Sequence, residues 1–377
     1  MCAKIWARIL LKGIEMISNQ VIKTSIDDLK AITRVDLGVY DLSGDQVAAT
    51  TSMQGPEKDV IATFAESVAD SQMVGSFHLI KVKDENEAVF IAVASGSNED
   101  AYMVGRIAAV QLGRLVTAYK EKFDRNNFFQ NLLMDNLLLV DVYNRAKKLH
   151  IEINVPRVVY MIETEAEYDG LVSELLKNMF TTQAGDYLTS IEENHIILVK
   201  AVNADDTQED LMQTAWTIAD MINTEAMVKV KVSIGTVVSE LKDVSKSYKE
   251  AKMALEVGKI FYAQNNINAY STLGIGRLIY QLPVNLCKLF VQEVFGDDIP
   301  EELDEETIHI IDTFFENNLN VSETSRQLFL HRNTLVYRLE KLQKALGLDI
   351  RTFDDALTFK IALMVVNYMK YLEKTEY

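Results

Sequence analysis

The chain has 377 residues, enough for about two or three domains with a core in each, and its 48% hydrophobic and 25% charged content excludes wholesale disorder. With 55 acidic against 38 basic residues the net charge is −17, which excludes a general polyanion binder, so any nucleic-acid contact must run through a local basic patch. Two cysteines, Cys2 and Cys287, cannot build a disulfide framework or a four-ligand zinc site and point to a reducing cytoplasm, while only four prolines suit a helix-rich chain.

Residues 1–15 (MCAKIWARILLKGIE) interrupt their apolar run with Arg8 and Lys12 and show no cleavage site. They read as a short amphipathic extension ahead of a start at Met16, not as a signal peptide. No run of about 18 apolar residues follows, so neither a transmembrane helix nor a membrane partner is predicted. The 3–4 spacing of Ile17, Val21, Ile22, Ile26, Leu29 and Ile32 predicts a helix over 17–33. A hairpin follows, turning at Ser43-Gly44-Asp45. Residues 57–70 predict a helix, and 77–95 a second hairpin with Asp84-Glu85-Asn86-Glu87 at its tip. From Asp100 a long helix sets Val104, Ile107, Ala108, Leu112, Leu115 and Tyr119 on one face. In this element order residues 1–120 resemble PAS-like and GAF-like sensor modules, small antiparallel sheets flanked by helices.

Residues 121–152 predict a helical linker. In it Phe128, Leu132, Leu133 and Leu137 either form a dimer seam or pack on the next domain. A second alternation begins at Arg157: strand 157–163, helix 168–180, hairpin 186–200 turning at Glu192-Glu193-Asn194, helix 210–223, strand 230–238 and helix 244–257. This βαββαβα order predicts a middle α/β domain of ferredoxin-like character over 153–275. Residues 276–377 predict an all-helical domain, beginning with a helical pair around Pro283. The fold class is multi-domain α+β.

Within that last domain, the acidic 301–306 segment suits a helix start, and Ile308, Ile311, Phe314 and Phe315 give the helix its apolar face. Ser322 predicts the N-cap of a short helix ending near Leu328. Phe329-Leu330-His331 makes a tight turn. Residues 332–344 form a second helix with Leu335, Leu339 and Leu342 inward, and Gly347 stands where a helix ends. Two short helices around such a turn are a helix-turn-helix, whose second helix presents its N-terminal residues to the major groove. Here Arg332 can pair with guanine and Asn333 with adenine, while Thr334 and Tyr337 hydroxyls suit phosphates. Between Ser322 and Lys344, five cationic residues against two carboxylates give a local +3 inside the acidic chain.

The run VSETSRQLFLHRNTLVYRLEKLQKALGLDIRTFDDALTFKIAL (321–363) closely resembles the terminal domain of the PucR/CdaR regulators, the purine-catabolism and sugar-diacid activator group of bacteria. His331 to Leu339, Gly347-Leu348-Asp349 and Phe353-Asp354-Asp355-Ala356 carry the resemblance, which implies that His331 to Leu339 opens a Fis-like recognition helix. The runs 247–255 and 128–133 resemble the family's middle domain and the stretch before it, extending the likeness to 123–377. The first 120 residues do not match the sugar-diacid recognition domain, so no effector carries over. The resemblance also implies that 153–275 is a degenerate GGDEF cyclase domain. Its signature would fall on the 186–200 hairpin, where Ser190-Ile191-Glu192-Glu193-Asn194-His195 stands without the glycine pair that lets a backbone approach a nucleotide. Glu192 and Glu193 read as solvated turn residues, not as Mg²⁺ ligands.

No other chemistry-bearing pattern emerges. His78, His150, His195, His309 and His331 are scattered without metal spacing, and neither a nucleophile elbow nor a phosphate loop is present. Gly274-Ile275-Gly276 reads as a turn and Cys287 as inert core. No catalytic residue, metal or cofactor is expected. The sequence thus predicts a cytoplasmic, ligand-responsive transcription regulator, a homodimer or higher homo-oligomer, with double-stranded operator DNA and a small-molecule effector as partners. Its expected DNA-binding residues are Ser322, Thr324, Arg326, His331, Arg332, Asn333, Thr334, Tyr337, Arg338 and Lys341. The alternatives are a signalling adaptor that uses 321–348 for protein contacts and an active nucleotide cyclase.

Overall fold

The computed structural model describes residues 17–375 except 52, 181–184, 204 and 297–302. The amphipathic extension expected over 1–15 lies outside the described residues. The chain divides into two units, one up to Phe129 and one from Gln130 onward.

In the first unit, helix α1 (Asn19–Thr33) precedes strands β1 (Leu37–Tyr40) and β2 (Gln46–Ala49), helix α2 (Lys58–Glu66), strands β3 (Ser71–Val74), β4 (Phe77–Asp84) and β5 (Glu87–Ser95), and helix α3 (Glu99–Leu133). The strands form one antiparallel sheet in the order β2-β1-β5-β4-β3. Side chains alternate between its faces. Phe90, Ala92 and Ala94 pack with α1 and α3, whereas Ile91 and Val93 pack with Ile61 and Phe64 of α2. Covered on both faces, β5 is an almost unbroken apolar run. α3 lies close on the sheet: a Cβ at Gly105 would stand 2.6 Å from Ile80 Cδ1.

The helix placed over 57–70 ends at Glu66, and Ser71–Val74 add an edge strand, β3, paired to β4, that the sequence reading did not contain. The second hairpin turns on Glu85 and Asn86, both at positive φ, which is a two-residue turn of primed type. Asp84 faces Glu87 across that turn, at the tip as expected. It is buried and accepts hydrogen bonds from Thr117 Oγ1 (2.9 Å) and Lys120 Nζ (2.9 Å).

The second unit opens with the end of α3 and helix α4 (Leu139–Lys148). Then come strand β6 (Arg157–Glu163), helix α5 (Asp169–Phe180), strands β7 (Tyr187–Ser190) and β8 (His195–Ala201), helix α6 (Gln208–Ala226), strand β9 (Lys231–Ile234), helix α7 (Val244–Phe261) and the short strand β10 (Ile267–Ala269). The sheet order is β10-β9-β6-β8-β7, with β9–β10 parallel and the other pairs antiparallel. The four strands before β10 thus have the order expected of a ferredoxin-like βαββαβ unit, and β10 extends it by an edge that the sequence reading did not contain. The buried faces of α5 and α6 supply Val172, Leu176, Leu211, Ala215 and Ile218 to one core with β6, β8 and β9. α7 is tied to β6 by Ser247 Oγ, which accepts the Val159 amide at 3.0 Å.

The stretch 121–152 holds two helical stretches, the end of α3 up to Leu133 and α4. Phe128, Leu132 and Leu133 are buried in the single chain, which favours packing over a dimer seam.

The remaining elements are all helical: α8 (Ile275–Tyr280), α9 (Val284–Phe295), α10 (Glu305–Glu316), α11 (Val321–Gln327), α12 (Arg332–Leu346) and α13 (Phe353–Thr375). Pro283 caps α9, and Cys287 is buried on it. α13 serves two cores. Phe359, Ala362 and Val366 pack with α10 and α12, whereas Val365 and Tyr368 pack with α8 and α9. Among the described residues no helix is long and apolar enough to cross a membrane.

Candidate nucleic-acid interface

The site is built on α10, α11 and α12. Asp304 caps α10, its side chain accepting the Thr307 amide at 2.8 Å. The cap of α11 is Asn320, not Ser322: Asn320 Oδ1 accepts the Ser322 and Glu323 amides at 3.0 and 3.2 Å. The helix therefore starts earlier than the sequence reading placed it, and Ser322 lies within its exposed first turn.

α11 closes with Phe329 in the left-handed region at φ 53°. Its amide donates to the Arg326 carbonyl (3.2 Å) and that of Leu330 to the Ser325 carbonyl (2.9 Å). These two bonds satisfy carbonyls that the helix end would otherwise orphan. The chain then re-enters a helix at once, since His331 caps α12 with its Nδ1 accepting the Asn333 amide at 3.3 Å. Leu335, Leu339 and Leu342 anchor α12 against Ile310, Ile311 and Phe314 of α10. Gly347, at φ 75°, caps the helix as expected, and the helix runs to Leu346, two residues beyond 344.

With the apolar face fixed inward, the opposite face is turned to solvent. Ser322, Arg326, His331, Arg332, Asn333, Thr334, Tyr337 and Lys341 are all exposed. Thr324 does not join them. It is fully buried and its hydroxyl donates to the Asn320 carbonyl at 2.8 Å, so it holds the motif together from inside and cannot touch DNA. Arg326 pairs with Glu323 at 2.6 Å. Arg338 is half-buried and its Nη1 lies 2.8 Å from Glu306 Oε1. An open cleft of about 520 Å³ separates α12 from the start of α10, with Thr334, Tyr337 and Lys341 on one side and Asp304, Glu306 and Thr307 on the other. The Thr307 amide, with Arg338 and Lys341 nearby, holds the Asp304 carboxyl below the usual range. The turn expected at Phe329-Leu330-His331 is present, and Glu306, read from the sequence only as part of an acidic helix start, proves to be the partner of Arg338.

Residues 307–365 match the PucR C-terminal helix-turn-helix domain, a stretch running from α10 into α13. The carbohydrate diacid regulator of Escherichia coli (strain K12) is 28% identical over 241 residues, which span 58% of this chain and 60% of that protein. The purine catabolism regulatory protein of Bacillus subtilis (strain 168) is 26% identical over 173 residues, 45% of this chain and 32% of that protein. Over these stretches the chain is similar to the PucR/CdaR regulators. As in the resemblance, the likeness is not confined to the PucR helix-turn-helix: residues 136–257 match a GGDEF-like domain. Both matches fall in the second unit of the chain. A solved structure, a regulator of polyketide synthase expression from Bifidobacterium adolescentis, aligns over 66% of this chain and 93% of that one at 14% identity and a TM-score of 0.34.

On the GGDEF-like hairpin Glu192 and Glu193 are exposed turn residues, as expected, and Glu192 also pairs with Lys252 at 2.6 Å. His195 lies with Nε2 3.3 Å from Glu163 and Nδ1 3.6 Å from Glu192. Lys259 bridges Glu163 (2.6 Å) and Glu256 (3.1 Å). Burial alone would raise the Glu163 carboxyl, but His195 and Lys259 outweigh it and bring it down to about 2. The phenol of Tyr371, on α13, donates to Glu256. The carboxylates around the old signature are thus neutralised by the chain's own cations, and the network ties the GGDEF-like domain to the last helix of the PucR domain. Among the described residues no cluster of His, Cys, Asp and Glu is arranged to hold a metal.

Proposed function

We propose that the chain is a DNA-binding transcription regulator whose α12 enters the major groove of operator DNA. One observation carries the reading: the buried leucines of α12 fix its orientation so that Arg332, Asn333, Thr334, Tyr337 and Lys341 form one exposed face. Arg332 and Asn333 read base edges, Thr334 and Tyr337 contact phosphates, Lys341 supplies charge, and Ser322, Arg326 and His331 stand at the margin as hydrogen-bonding groups. Two such helices on two half-sites call for a homodimer. The acidic remainder of the chain discourages non-specific DNA.

The first unit serves as a PAS/GAF-like sensor for a small molecule in the cytoplasm. Its antiparallel sheet with helices on both faces supports this reading, and α3, leading out of that unit, offers a route to the rest of the chain. The GGDEF-like domain is a non-catalytic relay, a role favoured by the ion-paired Glu163 and Glu192.

Titration of genomic fragments with the full chain at two salt concentrations tests the DNA reading. Saturable, salt-dependent binding with preferred fragments is expected. Absence of binding at low salt would instead favour an adaptor that uses the same helices for protein contacts. A thermal-shift screen with small organic acids and nucleobases tests the sensor, since a true ligand raises the melting temperature with concentration.

A further inference from the structure

Helix α3 carries a face that none of the described residues covers. Its inner side packs Val104, Ala108, Leu112 and Val116 against the first sheet. Its outer side exposes Met103 (53%), Ile107 (51%) and Val110 (56%). Spaced at i, i+4 and i+7, these three make one continuous stripe, unlike the single exposed apolar residues found on most surfaces. The stripe opens beside Glu99 and closes beside Arg114, both exposed.

We infer that this face is a self-association surface, on which a second copy of the chain lays its own α3 antiparallel about a two-fold axis between residues 106 and 107. The stripe and its charges are self-complementary in that arrangement. Met103 of each copy meets Val110 of the other, Ile107 meets its counterpart at the axis, and each Glu99 meets the other copy's Arg114. A parallel pairing would set Glu99 against Glu99 and Arg114 against Arg114, so charge selects the antiparallel one. Arg106, beside the axis, is drawn back over the Tyr102 ring at 5.9 Å, which leaves the axis to Ile107. A two-fold contact of this kind uses the same patch on both copies. The inference rests on the dimeric reading above and gives that dimer its contact.

Sedimentation equilibrium of the full chain without DNA, across micromolar concentrations, tests it. Wild type is expected to dimerise. Ile107→Glu sets two carboxylates face to face and should raise the dimer dissociation constant roughly a hundredfold. Arg114→Glu should weaken it less, and Glu99→Arg combined with Arg114→Glu should restore it, with circular dichroism unchanged throughout. This rescue separates lost contact from lost fold. If Ile107→Glu dimerises as tightly as wild type, the α3 surface is overturned while the dimer stands. If wild type stays monomeric, both fall. Neither result bears on whether α12 binds DNA.

Discussion

Arg338 and Glu306 meet at 2.8 Å, joining the middle of α12 to the first turn of α10. One of the cations expected to serve DNA is thereby matched by a carboxylate from outside the helix-turn-helix. Selective binding needs features that penalise the wrong partner as well as features that reward the right one. In the proposed docking of α12 this pair would act in that way, holding Arg338 back and keeping a negative charge beside the face turned to DNA.

Glu306→Gln should therefore raise affinity for DNA of any sequence by about two- to fivefold, the range of an exposed ion pair. It should also steepen the dependence of log affinity on log salt by about 0.9, as one more cation engages phosphate. Fluorescence anisotropy at three salt concentrations reads both. An unchanged slope with unchanged affinity would mean that Arg338 never reaches DNA.

Phe329 holds an αL backbone with its ring 96% exposed, so it carries the strain of that conformation without returning core packing. Phe329→Gly should stabilise the chain by about 0.5–1 kcal/mol. Urea denaturation checks this, and a loss of stability would show that the exposed ring has a partner within the fold.

Much of the helical architecture was legible because its apolar spacing is regular, and Gly347 and Pro283 marked real helix boundaries. β3 and β10 were not: both lie at sheet edges and are only four and three residues long, too short to show an alternation. Thr324 and Ser322 misled for a different reason. Both are capping and DNA-contacting residue types, and only the tertiary structure shows that Asn320 takes the cap while Thr324 turns inward. No proline or glycine breaks α3 near residue 120, so the helix runs on to Leu133. The Glu163–His195–Lys259 network joins residues 96 positions apart, and no local pattern announces it.

That network has a pH signature. Glu163 is ionised in the folded chain down to about pH 2, whereas an unfolded glutamate titrates near its ordinary value of 4.5. Because the folded value is the lower one, its contribution is fully present above about pH 4.5 and is lost as pH falls toward 2. Glu163→Gln should cost on the order of 2 kcal/mol at neutral pH, with the gap to wild type closing between pH 4.5 and 2. Denaturant melts across that window check the sign. A gap that widens on acidification would contradict the assignment.

The most direct test of the DNA-facing α12 compares three alanine variants on preferred and scrambled fragments at two salt concentrations. Arg332→Ala and Asn333→Ala should each cost about 1–3 kcal/mol on the preferred fragment and relax base preference. Lys341→Ala should weaken both fragments alike and flatten the salt slope by about 1. Equal losses at all three positions, or none at any, would contradict the docking of α12 in the major groove.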